Sequence, residues 1–407
     1  MGQGACFMTW RCYLGDTMTG LIDRPIDIPS FSWSVDVSDS SLATNKDKGA
    51  GTDEWSGITV PWTAIQEADA TSRASALSTL RRSLTMFWKD DNDDPDSLGM
   101  PVIWGTIGQR TDTWLDTSFS LDSVMTLLSK RLVVREGQYG SGSGGTSPGT
   151  IRYENMSYRG IACELIDLCT SKKPGGSLPL DLPYLGESGT RAREYSEYDI
   201  QNNYCSDLLE NIANVINGPD MQFRPYLLDS QHVRVRFVAG SDGDRFLGQS
   251  IIHSLTCFPG GGTLQDVQID HDGPISRVYS SGSGTDAAQI CCMSEDLTLP
   301  TMKDPWPLIE TTYSDSDTDN LSVLKEHADA QLVANSRPLM QVKGYVDFND
   351  PDVPSPGSIW PGEVVEVTML GFPTLPDGTY PMRLMRMDGD QSTRAQLTFD
   401  VMDDPIF

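Results

Sequence analysis

Residues 357–399, GSIWPGEVVEVTMLGFPTLPDGTYPMRLMRMDGDQSTRAQLTF, contain three short runs in which apolar side chains occupy every second position. Val365/Val367/Met369, Tyr380/Met382/Leu384 and Ala395/Leu397/Phe399 each place alternate residues on one face, the period of a half-buried strand. Pro376-Asp377-Gly378 and Asp388-Gly389-Asp390 separate the runs with turn chemistry, so the segment reads as an antiparallel meander. Pro361-Gly362 bends the chain into its first strand. None of these residues forms a catalytic pattern, and this end of the molecule is expected to be a built surface.

The chain has 407 residues, room for two to four domains at roughly 100 to 200 residues each. Its 57 acidic against 30 basic residues give a net charge of −27, which repels nucleic acid phosphates and anionic membranes. A sequence-reading nucleic-acid binder is therefore not expected. No run approaches the roughly 18 apolar residues of a membrane span, and the start lacks the pattern of a secretory signal, so a soluble protein made in the cytoplasm is expected. Met1-Gly2 begins like a myristoylation site, but Cys6 stands where that motif requires Ser or Thr. Eight cysteines (Cys6, Cys12, Cys163, Cys169, Cys205, Cys257, Cys291 and Cys292) show no repeating short spacing and read as free, largely buried thiols.

Along the chain, residues 8–135 read mainly as strands. Phe31, Trp33, Val35 and Val37 alternate with polar neighbours, and 102–107 and 117–121 form a second pair joined by the polar stretch GQRTDT. Leu77, Leu80 and Leu84 have helical spacing and predict a helix over 72–85; a second is predicted over 123–132. The tract QYGSGSGGTSPG at 138–149 reads as a flexible linker or long loop. Beyond it, residues 151–262 mix helices with a hairpin: Ser157 caps one helix, 204–216 forms another that stops at Asn217-Gly218-Pro219, and 221–228 pairs with 232–238. The last region pairs 274–281 with 288–293, carries an amphipathic helix over 319–336 and closes with 340–348 and the meander. The expected organisation is thus a first β domain (1–137), a linker (138–150), an α+β domain (151–262) and a second β domain (263–407).

The residues offer little chemistry. Asp315, Asp317, Asp319 and Glu326 occupy positions 1, 3, 5 and 12 of a calcium-binding loop, yet Asn320 replaces the glycine of the sharp turn and Ser322 the apolar residue that pins it. An acidic run capping the next helix at Asp319 is the simpler reading. His232, His253, His271 and His327 fall in separate elements, against a zinc site. Asp270-His271-Asp272 cannot converge if extended, and reads as a strand end turning into Gly273-Pro274. Gly282-Ser283-Gly284 lacks the third glycine and the Lys-Ser/Thr of phosphate loops, and no nucleophile elbow is present. Of the nine tryptophans, Trp33, Trp104, Trp62, Trp306 and Trp360 are expected to pack in cores or interfaces rather than to platform sugars. No catalytic, cofactor-binding or metal residue is assigned.

Six blocks in order, SFSWSVDVSDSS (30–41), PVIWGTIGQRTDTW (101–114), NGPDMQFRP (217–225), SRVYSSGSGTDAA (276–288), LKEHADAQLVANSRP (324–338) and GSIWPGEVVEV (357–367), resemble the minor tail proteins of long-tailed siphophages of actinobacteria. Those are similar to the tail-tip, or baseplate, hub proteins of tailed phages. The resemblance implies an α+β, β-rich multidomain fold with two tail-tube-like antiparallel β-barrel or sandwich domains and a smaller α+β domain. It implies a homotrimer that turns six such domains into a ring matching a sixfold tube at the virion tail tip. Expected partners are a distal tail protein, the tape measure protein and other tip or receptor-binding proteins, with DNA passing without specific contact. An acidic chain is compatible with a lumen that does not grip phosphate. The implied role is structural and not enzymatic; the alternative is a tail-associated protein that binds or cleaves cell-surface glycans.

Overall fold

The computed structural model describes residues 9–37, 40–43, 57–90, 97–137, 139, 149–215, 217–316, 318–337 and 339–401. Its frame is a pair of curled sheets. The first has six antiparallel strands in the order Ile22–Ile26, Thr9–Asp16, Arg82–Lys89, Met100–Asp112, Asp116–Asp122, Ile58–Pro61. The second runs His253–Cys257, Val364–Met369, Gly378–Asp390, Arg394–Val401, Leu339–Asp347, Gln265–Asp272.

The meander expected over 357–399 forms, with Val364–Met369, Gly378–Asp390 and Arg394–Val401 pairing in succession. Its central strand is long, 13 residues, so one edge has room for two neighbours. Val364–Met369 covers residues 378–383, and Ser32–Asp36, from the far end of the chain, covers 386–390, with Ser40–Ala43 paired beyond it as the eighth strand of this sheet. The sheet is not purely antiparallel, because His253–Cys257 joins Val364–Met369 in parallel. After that strand the chain turns at 258–261, and Leu264 N–H donates to Thr256 O at 2.9 Å, bringing the two ends of the strand order side by side.

The two sheets bury one continuous core. Leu84, Met86, Trp88, Val102 and Phe119 of the first meet Trp33, Val342, Phe348, Val365, Met382, Leu384 and Phe399 of the second. Half-buried against this core, Trp10 lies 5.1 Å from Trp33 and 4.7 Å from Trp88, which is 5.4 Å from Phe348. Such tilted and edge-on pairs favour the ring quadrupoles. Trp10 Nε1 donates to Ser392 O and Trp33 Nε1 to Asp390 O, each at 3.1 Å, so both indoles are tied to the meander's last turn.

The other face of the six-stranded sheet carries the helices. Phe87 and Trp104 point away from the shared core into a second one formed with Tyr158–Cys169 and Cys205–Ala213. Strand Arg82–Lys89 is therefore buried on both faces. This corrects the helix predicted over 72–85: Ala70–Ala76 is helical, capped by Asp69 at Ser72 N, Leu80 turns back at φ +61°, and Leu84 belongs to the strand. Two-sided burial outweighs a leucine spacing that only imitates a helix face. The stretch GQRTDT is likewise not a connector, since Met100–Asp112 is continuous and the turn is confined to 113–115. The helix predicted over 123–132 is shorter, Val124–Leu128.

Ser157 caps its helix as expected, accepting from Gly160 N at 3.0 Å. Met221–Leu227 pairs with Val233–Ala239, joined by the two-residue strand Leu180–Asp181, while Thr150–Met156 pairs with Ser188–Ser196. Between the paired strands Gln265–Asp272 and Leu339–Asp347 the chain leaves to build a small layered unit. There Arg277–Ser281 lies between Cys291–Glu295 and Glu310–Ser314, and helix Leu321–Asn335 covers one face through Val278, Ala328 and Leu332. The helix is capped by Asn320, which accepts from Ser322 N at 2.9 Å, and not by Asp319.

Candidate assembly surfaces

The calcium-loop pattern at 315–326 does not assemble from its described residues. Asp315 lies just after strand Glu310–Ser314, where its carboxylate accepts from Thr318 Oγ1 at 2.6 Å and meets His327 Nδ1 at 3.0 Å. Glu326 is exposed, turned from the buried His327 that Asp315 faces. Asp317 lies outside the described residues, as do Cys6 and most of the Gly/Ser tract at 138–149. Among the described residues no group of three His, Cys, Asp or Glu side chains is placed to hold a metal. Asp270-His271-Asp272 is the end of a strand, with Asp270 paired to Lys343 at 2.8 Å. Gly282-Ser283-Gly284 is a turn between paired strands, with Gly282 N and Ser283 N bonded to Ile290 O and Thr318 O.

Polar chemistry is concentrated in the seam between the helical unit and the eight-stranded sheet. Asp220, just before strand Met221–Leu227, pairs with Arg383 of the meander, and Arg224 reaches Glu363 at 2.7 Å. All four side chains are mostly buried. Burial raises the Asp220 carboxyl above its ordinary range, and burial lowers both guanidinium groups. Arg224 also lies 5.4 Å from the centre of the Trp360 ring, and Arg383 and Arg245 both stack on Phe246. Gln222 Nε2 donates to Asp36 O at 2.9 Å, so the seam also holds the strand that crosses into the second sheet.

A second polar anchor ties residue 135 to the helical unit. Glu197, with a fully buried side chain, accepts from Arg135 N at 2.8 Å and from its guanidinium at 2.6 and 3.1 Å. Those bonds hold its carboxyl below the usual range. Arg159 does the same for Glu187 at 2.6 and 2.7 Å.

Trp33, Trp104 and Trp360 are buried, as expected for packing residues, whereas Trp62 and Trp306 are half-buried. Trp114 is 99% exposed and its neighbour Leu115 80%, at the tip of the hairpin joining Met100–Asp112 to Asp116–Asp122. The sequence reading used Trp114 only within a block and missed its exposure; the turn chemistry of Thr113 and Asp116 around two large apolar residues was the available signal. The tip is well tied. Thr113 N donates to Asp116 O at 2.8 Å, Thr113 Oγ1 to Asp116 Oδ1 at 2.6 Å, and Trp62 Nε1 to Thr113 O at 2.8 Å. At one end of the second sheet, Phe258, Pro259, Leu264, Leu370, Phe372 and Pro373 line an open cavity of about 550 Å³. Its rim is fixed by reciprocal bonds between Phe258 and Gly261 and by Leu370 N donating to Cys257 O.

No family model matches the chain, and no curated protein matches it in sequence. Solved structures do. The chain is similar to the 43 kDa tail protein of prophage MuSo2 from Shewanella oneidensis, at TM-score 0.50 and 10% identity, over 96% of this chain and 98% of that one. It also matches the tail protein from Neisseria meningitidis MC58, at TM-score 0.48 and 13% identity over 96% of each chain. A third match is prophage tail protein gp18 from Listeria monocytogenes, at TM-score 0.41 and 10% identity over 98% and 95%. At such identities likeness speaks of architecture, and the chain has the β-rich fold of the Shewanella prophage tail protein along nearly its whole length.

Proposed function

We propose that this chain is a structural protein of a phage tail, built into the tail tip as a hub. The observation that carries the reading is the end-to-end match of its fold to the Shewanella prophage tail protein, with two curled sheets around one core. In this reading each subunit supplies both sheets to a trimeric ring that continues a sixfold tube. The ring meets a distal tail protein and the tape measure protein on the virion side and other tip or receptor-binding proteins on the host side. It takes part in host attachment and lets DNA pass, with no turnover of its own.

The burial of Trp33, Trp104 and Trp360 is in keeping with a scaffold. The test is electron cryo-microscopy of particles carrying an epitope tag at residue 407, decorated with antibody fragment. Label on the tail axis at the tip, three per particle, is the expected result. Label on peripheral fibres or along the tail shaft would overturn the hub assignment.

A further inference from the structure

The hairpin tip and the open cavity are complementary features of one chain. Trp114 and Leu115 stand clear of the surface on a turn that hydrogen bonds hold in place, so the backbone that presents them is set before any partner arrives. An exposed tryptophan so placed has the character of an interface anchor. The cavity is lined mainly by apolar side chains, Val267 among them, with Gln265 and Asp266 at one side and Phe258 and Leu370 nearly half exposed at its mouth. Its volume of about 550 Å³ is enough for an indole and a leucine side chain, and Gln265 is among its lining residues.

The two features cannot satisfy each other within one molecule. The tip belongs to the six-stranded sheet and the cavity to the eight-stranded sheet, and one packed core fixes the sheets relative to each other. With Trp114 99% exposed, the tip does not occupy its own cavity. We propose that Trp114 and Leu115 of one copy insert into the cavity beside Phe258 and Leu370 of a second copy, a head-to-tail contact that closes into a ring. The contact rests on the ring reading above and gives it a specific joint. A knob and a hole on different faces of the same chain form a heterologous interface, which makes a ring when its rotation closes and an open filament when it does not. Copies carrying a net charge of −27 repel one another at long range, so the joint depends on a short-range apolar anchor.

Sedimentation velocity of the full chain tests the contact. The wild type is expected to associate, more tightly in about 0.5 M salt than in dilute buffer because repulsion is screened. Trp114→Ala is expected to weaken association at least about 30-fold, the loss of one strong anchor, with no change in melting temperature, since an exposed side chain supports no core. Cys257 lines the cavity, so Leu115→Cys, which keeps the Trp114 anchor, should cross-link between copies under mild oxidation, and adding Cys257→Ser should abolish that bond. A wild-type oligomer unaffected by Trp114→Ala would overturn this joint while leaving the tail assignment to particle labelling. A monomeric wild type whose Trp114→Ala form fails to enter particles would also overturn it, assigning the tip to a different tail protein.

Discussion

The indole of Trp33 occupies the space that a side chain at Gly389 would need: a Cβ there would lie 2.6 Å from Trp33 Cε2. Strand Ser32–Asp36 can join the central strand of the meander only because residue 389 is glycine. Gly389→Ala should force the indole aside and cost about 1–3 kcal/mol, as overpacking does. Trp33→Ala, which empties the same place, should cost about 3–5 kcal/mol. Thermal unfolding followed by near-ultraviolet dichroism reads both, and a wild-type midpoint for Gly389→Ala would contradict this seating.

The seam between the helical unit and the second sheet should respond to loss of charge on one side more than on both. Arg383→Met leaves Asp220 buried and unpaired, at a cost of about 3–5 kcal/mol, whereas Arg383→Met with Asp220→Leu should recover part of it. A double-mutant cycle from urea midpoints measures the coupling. Simple additivity of the two changes would show that the pair does not act as a pair.

Acid should undo the Glu197 anchor in a defined direction. Its folded carboxyl lies below its ordinary value of 4.5, so the stability it contributes is fully present above that pH and is lost as pH falls through the folded value. In Arg135→Met the carboxylate is buried without its cation, and the variant should lose about 1–3 kcal/mol near neutral pH. The gap to wild type should close as pH falls below 4.5. Asp220 has the opposite sign: burial raises it, so its contribution favours the fold at low pH and fades as pH rises through the folded value. Stability curves at several pH values distinguish the two, and a gap that widened in acid would refute the Glu197 account.

Thiol reactivity should sort by environment. Cys291 is exposed, whereas Cys12 and Cys163 are buried with their thiols pushed up to about 12, leaving almost no thiolate at pH 8. A brief maleimide pulse mapped by mass spectrometry should label Cys291 in the native protein and Cys12 and Cys163 only after denaturant. Rapid native labelling of Cys163 would mean that helix Tyr158–Cys169 is not packed as described.

Much of this architecture could be read along the chain, and the failures are instructive. The meander, the hairpin at 221–239 and the Ser157 cap are set by residues near in sequence, where alternation, turn chemistry and capping act directly. The leucines at 77, 80 and 84 misled because helical spacing and a strand buried on both faces can share the same residues, and only the second core, with Phe87 and Trp104, decides between them. Asp315 kept its acidic neighbours in sequence but found His327 in space, which no spacing rule foresees. Trp114 has no periodic pattern of its own to mark it, and only the turn around it leaves it outside.

The crossing of Ser32–Asp36 into the far sheet also has a consequence in time. Its partner residues, 386–390, leave the ribosome about 350 residues later, roughly 20 to 70 s at ordinary rates of synthesis. Throughout that wait Trp33 and Val35 have only the adjoining strand Ser40–Ala43 to pair with, and the nascent chain must keep an aggregation-prone segment from finding a wrong mate on its other edge. Production of this protein should therefore depend on translation speed and chaperone supply more strongly than its final stability would suggest.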